Sequence, residues 1–274
     1  MLVSPPLLVG ASWETNLSAS TRNGFGLTAS GTTHTMGSWT ALVDPTTAPS
    51  YGIMVALLDV GASNANTSML VDIGYGPTGG GNEVVLLPFL NAGAAAALNT
   101  GAVKCFSFPV YIPAGVRVSG RCQSAVVSDA VQCIVWLMQD RTFNVVPGGF
   151  VEAYGEVTAS SRGTLVTPGN GSFGSWTSLG TTVRDHRFWG LGYDQGGDQS
   201  IASTGLAIEL GIGPNSGDVT RIFGPVWFGQ SNAESIGGGF PLCGYAPVKS
   251  GTELWVRIGS SETEQRGVIA YGCD

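Results

Sequence analysis

The feature that most constrains this chain is an internal repeat. Gly37-Ser-Trp-Thr40 returns as Gly174-Ser-Trp-Thr177, an offset of 137 residues. The same offset carries Asp72-Ile-Gly-Tyr-Gly-Pro77 onto Glu209-Leu-Gly-Ile-Gly-Pro214 and Pro88 onto Pro225. It also sets Tyr51-Gly-Ile-Met54 against Phe188-Trp-Gly-Leu191. After one deletion the offset is 136, and Val118-Ser-Gly-Arg121 meets Leu254-Trp-Val-Arg257. Upstream, an offset of 140 pairs Ala19-Ser-Thr-Arg22 with Ala159-Ser-Ser-Arg162. What recurs is backbone punctuation and strand alternation, which a duplicated fold retains. The offset changes fall in loop-like segments, where insertions are tolerated. The chain therefore reads as an apolar N-terminal arm at 1–17, a first unit at 18–140, a linker at 141–157 and a second unit at 158–274.

Inside a unit, short runs of Val, Thr, Ile and aromatics are bounded by Gly, Pro, Asn and Ser, which is β punctuation. No segment of helical length keeps a 3.6-residue apolar period with caps. Seven strands are expected in the first unit, at 38–43, 51–60, 68–75, 83–89, 105–112, 117–123 and 131–138. Seven strands in about 120 residues suit a sandwich or jelly roll. The fold class expected is all-β, as two tandem jelly-roll-like β-sandwiches. Pro113-Ala114-Gly115 reads as a tight turn in which glycine supplies a positive φ. Residues 53–58 are apolar at every position, and so is Phe188-Trp-Gly-Leu-Gly-Tyr193. Such strands need cover on both faces, from a second layer, another subunit or the sister unit.

Composition removes several functions. Charged residues are 11 % of the chain, the net charge is −7, and Lys104 and Lys249 are the two lysines. A protein that grips phosphate backbones needs a basic stripe, so nucleic-acid binding is not expected. No apolar run reaches the length of a membrane span. The first residues lack the basic stretch of a secretory leader. Cys105, Cys122, Cys133, Cys243 and Cys273 show no C-x-x-C spacing, so buried thiols rather than a zinc site are expected. So few charges leave two ways to stay soluble: a surface of Ser, Thr, Asn and Gly, or a surface buried in an assembly.

Catalytic sets are scarce. His34 lies in a Thr/Gly-rich loop and His186 in a polar turn, and the two do not occupy matched positions. No nucleophile elbow, phosphate loop or metal-ligand spacing is present, so no catalytic residue, metal or cofactor is assigned. Asp72 and Glu209 are matched, and so are Arg121 and Arg257. Matched placement reads as a structural ion pair in each unit rather than as a glycosidase acid pair. Trp39 and Trp176, also matched, read as core or staple residues. Asp194-Gln-Gly-Gly-Asp198, found in the second unit, is a polar hairpin or a weak cation loop. With Trp189 and Tyr193 it forms the candidate glycan-contacting edge, since aromatic faces beside carboxylates suit sugars. In the arm, Leu7, Leu8 and Trp13 have no core of their own and are expected to dock on a neighbouring subunit.

Val71-Asp-Ile-Gly-Tyr-Gly-Pro77, Glu83-Val-Val-Leu-Leu-Pro88 and Phe108-Pro-Val-Tyr-Ile-Pro-Ala-Gly-Val-Arg-Val118 together resemble a group of tailed-bacteriophage virion proteins, mostly without an assigned activity. The resemblance covers about 80 residues of the first unit clearly and the second faintly, where Val248-Lys-Ser-Gly251 replaces the Ile-Pro-Ala-Gly turn. It implies a virion component assembled in the host cytoplasm. The partners expected are other virion proteins, further copies of the chain (a trimer would present six similar units) and a host surface glycan. The function expected is a non-enzymatic tail, baseplate or fibre-attachment protein. The alternatives are a capsid decoration protein or a carbohydrate-binding attachment module.

Overall fold

The computed structural model describes residues 13–15, 24–59, 68–93, 103–139, 149–194, 204–231, 234–236 and 244–274. The first half supplies β1 (Trp13–Thr15), β2 (Phe25–Thr28), β3 (Thr40–Val43), β4 (Gly52–Asp59), β5 (Met69–Gly76), β6 (Val84–Gly93), β7 (Lys104–Phe108), β8 (Arg117–Ser124) and β9 (Ala130–Met138). The second half begins with β10 (Val151–Tyr154), β11 (Glu156–Val157), β12 (Arg162–Val166), β13 (Gly169–Asn170), β14 (Ser172–Phe173) and β15 (Thr177–Thr181). It continues with β16 (His186–Asp194), β17 (Thr204–Ile212), β18 (Thr220–Ser231), β19 (Glu234–Ile236), β20 (Gly244–Val248), β21 (Glu253–Ser260) and β22 (Arg266–Cys273).

Each half is a sandwich of two sheets. In the first, β2–β9–β4–β7 faces β3–β8–β5–β6. In the second, β12–β22–β16–β20 faces β15–β21–β17–β18. The two orders are the same, and each is the Greek-key order of an eight-stranded jelly roll. The chain is thus all-β, two tandem jelly rolls related by duplication. The seven strands expected from the sequence are joined by β2, which completes the roll. Phe25-Gly-Leu-Thr28 is too short to show alternation, and its pairing with β9 is what makes it a strand.

The duplication extends to details that residue identity hides. Thr46 and Thr182 are buried, and each clamps the same turn. The Thr46 hydroxyl donates to Pro113 O at 2.9 Å, and that of Thr182 donates to Lys249 O at 2.7 Å. Both hydroxyls also accept a backbone N–H, from Val116 at 3.2 Å and Thr252 at 3.0 Å. Gly115 and Gly251 sit in these turns at φ +74° and +80°. His34 and Gly171 also share a place, at φ 57° and 70°, each donating its N–H to the end of the neighbouring strand. The repeated Gly37 and Gly174 allow close backbone approach: a Cβ would lie 2.1 Å from Thr28 O or 2.6 Å from Thr167 O.

Three expectations change. First, β10 and β11 fall inside the interval 141–157 read as a linker, and β10 pairs with β22. Second, β1 pairs with β9 in the matching way, so Trp13 belongs to an edge strand of its own sandwich rather than to an arm on a neighbour. Pairing supplies partners for backbone groups that a bare edge would leave open. Leu7 and Leu8 lie outside the described residues. Third, the alignment of residues 51–54 slips by one. The bridge Ser50↔Ile112 and the pair His186↔Val248 coincide, which sets Ile53 against Trp189. Alternation agrees: Ile53, Val55 and Leu57 enter the first core, and Trp189, Leu191 and Tyr193 enter the second.

The units pack together. Ile269, Tyr271, Cys273 and Val151, on the outer face of the second unit's β10–β22–β16 layer, join the first unit's core. Tyr271 is fully buried, edge-on to Phe106 and Phe108 at 5.5 and 6.0 Å. Its hydroxyl donates to Phe89 O at 3.0 Å and accepts the Asn91 N–H at 2.8 Å. Gly192 opens the space for this ring, since a Cβ there would lie 2.8 Å from the Tyr271 hydroxyl. The strand 188–193, apolar on both faces, is therefore covered by the sister unit. Tyr271→Phe keeps the ring but leaves the Phe89 carbonyl and Asn91 amide buried and unmatched. We expect a loss of about 1–3 kcal/mol in urea-denaturation stability, and an unchanged stability would contradict this role.

Candidate functional site

The matched acids sit at the same point of each outer sheet. Asp72 faces Arg121 across β5 and β8, and Glu209 faces Arg257 across β17 and β21. Arg121 Nε and Nη2 donate to Asp72 Oδ2 at 2.9 and 2.8 Å. Arg257 Nε donates to Glu209 Oε2 at 2.8 Å, while Arg221 Nη1 donates to Oε1 at 2.6 Å. Each inter-strand guanidinium lies 4.4 Å beneath an indole, Trp39 over Arg121 and Trp176 over Arg257. These tryptophans are half-buried lids on the outer face rather than core residues. A Cβ on Gly74 or Gly211 would come 2.9 or 3.1 Å from the indole edge, which accounts for glycine two residues after each acid. Burial raises the pKa of Asp72, opposed by the Phe89 N–H bond and by Arg121. Each site thus holds one carboxylate locked to arginine, whereas glycosidic-bond cleavage needs two carboxylates flanking the substrate.

A second polar group lies in the seam between units. Lys104 is buried, with Nζ 3.6 Å from the Tyr193 ring centroid and donating to Tyr193 O at 3.4 Å. Ser68 Oγ donates to Asp194 Oδ1 at 3.2 Å. Burial lowers the pKa of Lys104 to about 7, against the opposing charge of Asp194. Further along, Gln123 Nε2 donates to Thr158 O at 2.7 Å, and His34 Nδ1 lies 2.9 Å from Ser161 Oγ. Sequence pattern gave no sign of this seam, because its partners are far apart in the chain and none is matched.

The candidate glycan edge is overturned. Trp189 and Tyr193 are inside the second core and Asp194 is in the seam, all at most 1 % exposed. Trp189 Nε1 is satisfied by Ala246 O at 2.9 Å. A strand inside a two-unit stack carries the same apolar-plus-aromatic signature as a sugar platform, and only packing separates the two. Asp198 lies outside the described residues.

His186, read as a turn histidine, is the first residue of β16 and is buried. Its Nε2 is 2.7 Å from the Tyr154 hydroxyl and its Nδ1 3.3 Å from Asp274 Oδ1. The Tyr154 oxygen also accepts the Val183 N–H at 3.3 Å. Burial lowers the His186 pKa, with Asp274 opposing. An open cleft of about 620 Å³ lies alongside, lined by Arg184, Asp185, Tyr245 and Lys249 among others. Two of its cations are engaged in ion pairs, Lys249 with Asp185 at 2.6 Å and Arg184 with Glu152 at 2.9 Å. The imidazole has no exposed side-chain surface on which to meet a substrate. Among the described residues no His, Cys, Asp and Glu cluster could hold a metal. No disulfide joins Cys105, Cys122, Cys133 and Cys273; Cys243 lies outside the described residues.

The remaining chemistry is apolar and outward. Trp227 is 69 % exposed and Tyr245 68 %. On the first unit's β4–β9 sheet the outward positions are Met54, Ala56, Leu58, Ile134 and Trp136, with Met54 directly opposite Trp136 and Ala56 opposite Ile134. Gln132 is the polar exception, opposite Leu58.

No protein-family model and no curated protein matches the chain. Several solved structures align with it at low similarity, two of them as follows. The structure of PNGF-II in space group C2 is 9 % identical with a TM-score of 0.36, over 92 % of this chain. The chain spans 65 % of the length of that protein. The N-terminal CBM22-1–CBM22-2 tandem domain of Paenibacillus barcinonensis Xyn10C is 11 % identical with a TM-score of 0.26, over 97 % of this chain and 92 % of that one.

Two outcomes follow from these sites. Arg121→Ala leaves Asp72 buried with no other guanidinium bonded to it among the described residues, a loss of up to about 3–5 kcal/mol. Arg257→Ala leaves Glu209 its bond to Arg221 and should cost less, so urea denaturation of the two variants should rank them in that order. The Lys104 ammonium gives a pH signature. Between about 7 and its ordinary value of 10.5 the unfolded chain binds the Lys104 proton more tightly than the folded one, so stability rises with pH from about 7 until the thiols begin to ionise near 9.0. Above that the buried Cys133 and Cys273, and from about pH 10.0 the buried Tyr193 and Tyr271, all raised by burial, ionise first in the unfolded chain and stability falls. Lys104→Met should remove the rising limb and leave the fall.

Proposed function

We propose that this chain is a non-enzymatic structural component of a bacteriophage virion, in the tail, baseplate or fibre attachment, working through protein–protein contacts. The observation that carries the contact-making role is the outward face of β4 and β9. There the half-buried Met54, Leu58, Ile134 and Trp136, with the small buried Ala56 between them, form an apolar stripe on a chain with very few charges. Contiguous apolar surface of this kind marks a protein interface. The virion setting is supported by the sequence resemblance. The residues that carry the resemblance serve the fold: Asp72 the ion pair, Gly74 the indole, Gly115 the clamped turn. Nothing in those residues calls for a substrate.

The test is quantitative mass spectrometry of gradient-purified particles from cells producing the phage. The protein should be present at a fixed multiple of the other tail proteins and stay bound through a salt wash. Its absence from particles would sink the reading. A ratio equal to that of the capsid shell would favour decoration instead, and recovery on host polysaccharide but not on particles would favour a glycan-binding role.

A further inference from the structure

The two jelly rolls meet through unlike surfaces, and the chain holds a second copy of each. The first unit contributes the edge around β6, where Asn91 lies, and the second contributes the outer face of β16 and β22. Register identifies the counterparts. Asn91 pairs with Leu70, and Trp227 pairs with Ala207, at the matched places of β5 and β17. Asn91 is 0 % exposed beneath the sister unit, while Trp227 at the same place is 69 % exposed. On the covering side, Ile53↔Leu137 and Trp189↔Gly272 are matched pairs, so Trp136 corresponds to Tyr271 and Ile134 to Ile269. Tyr271 and Ile269 are the residues that seal the first unit's core. Trp136 and Ile134 keep part of their surface open to solvent on the equivalent face, half-buried rather than sealed.

Resting on the reading of the protein as an assembly component, we propose that copies of this chain bind one another head to tail. The Trp227 edge of one copy takes the Trp136 face of the next, repeating the contact that joins the two units within a chain.

The occupant is fixed by that existing interface: the surface that covers position 91 has one untaken homologue, and it lies on the first unit. The side chains have changed in the direction such a contact needs. Asn91, which makes way for the sister unit, is replaced by a large indole. Across from it, Gly190 and Gly192 are replaced by Met54 and Ala56, and Tyr271 by Trp136. Exposed tryptophan at a protein contact is the residue type that most often dominates binding. Because edge and face differ, the contact is heterologous, and copies must close into a ring or run on as a filament. A ring leaves neither surface exposed, which answers how a chain with 11 % charged residues keeps its apolar faces from water.

The experiment is native mass spectrometry and sedimentation of the full chain, wild type and two variants, Trp227→Asp and Trp136→Asp. The wild type should form a discrete closed assembly. Each variant has lost one of the two surfaces and should be monomeric, with association weakened about tenfold or more. Mixed in equal amounts, the variants still hold one intact edge and one intact face between them. They should form a one-to-one dimer that grows no further, and its formation shows that both variants are folded. Ile134→Glu replaces Trp136→Asp if that chain is insoluble. A wild type that stays monomeric at its highest soluble concentration overturns the proposal. So does a dimer that survives Trp227→Asp, which would be a symmetric contact through another surface. A monomer still present in purified particles overturns the head-to-tail contact while sparing the virion role. A discrete assembly never found in particles supports the contact and removes that role.

Discussion

A jelly roll leaves its core open where the edges of its two sheets meet, and in this protein the sister unit closes that gap. Tyr271 is the closing residue. Its ring reaches between β6 and the Phe106/Phe108 side of β7, and its hydroxyl takes up a donor and an acceptor of β6 that would otherwise be buried without partners. The first unit's core therefore contains residues of the second unit, and the second unit's sheet gains cover for a face that would stand in water. Glycines at 190 and 192 let β16 come close enough for this. Burial of one polar hydroxyl and three aromatic rings fixes the angle between units more narrowly than an apolar contact alone, because the two hydrogen bonds have direction.

Duplication explains which residues are held in common and which are free to differ. Retained features are those each sandwich needs for itself: the acid–arginine pair under an indole, the glycine that makes room for it, the threonine-clamped turn and the glycine beside a neighbouring carbonyl. Features tied to position in the pair have diverged. Lys104 and Asp194 are buried on opposite sides of the seam, Lys104 against the ring and carbonyl of Tyr193 and Asp194 against the Ser68 hydroxyl, with the charge of Asp194 opposing the desolvation of Lys104. His186 occupies the place of Ser50, and its tyrosine and aspartate neighbours belong to the second unit alone. We propose that the same logic acts beyond the chain: the second unit's edge and the first unit's face have diverged into surfaces that meet only in an assembly.

The sequence alone determined the period, the duplicated sandwich, the glycine turns and the Asp72–Arg121 and Glu209–Arg257 pairs. These depend on local backbone geometry or on identities repeated at a constant offset, and both can be read along one dimension. It left out β2 and β10, whose few residues become strands only by pairing with β9 and β22. It misplaced Trp189 and Tyr193, because a strand covered on both faces and a strand offering aromatics to a ligand show the same run of apolar residues. It set Ile53 against Gly190 instead of Trp189, because a constant offset was carried through a strand whose two-residue alternation decides which side chains face inward. Tertiary structure decided which face of each sheet meets the sister unit, where Lys104 finds Tyr193, and that Trp227 stands exposed where Asn91 is covered. Those outcomes rest on contacts between residues about 90 to 180 positions apart, and no local pattern encodes which distant surface will remove a given side chain from water.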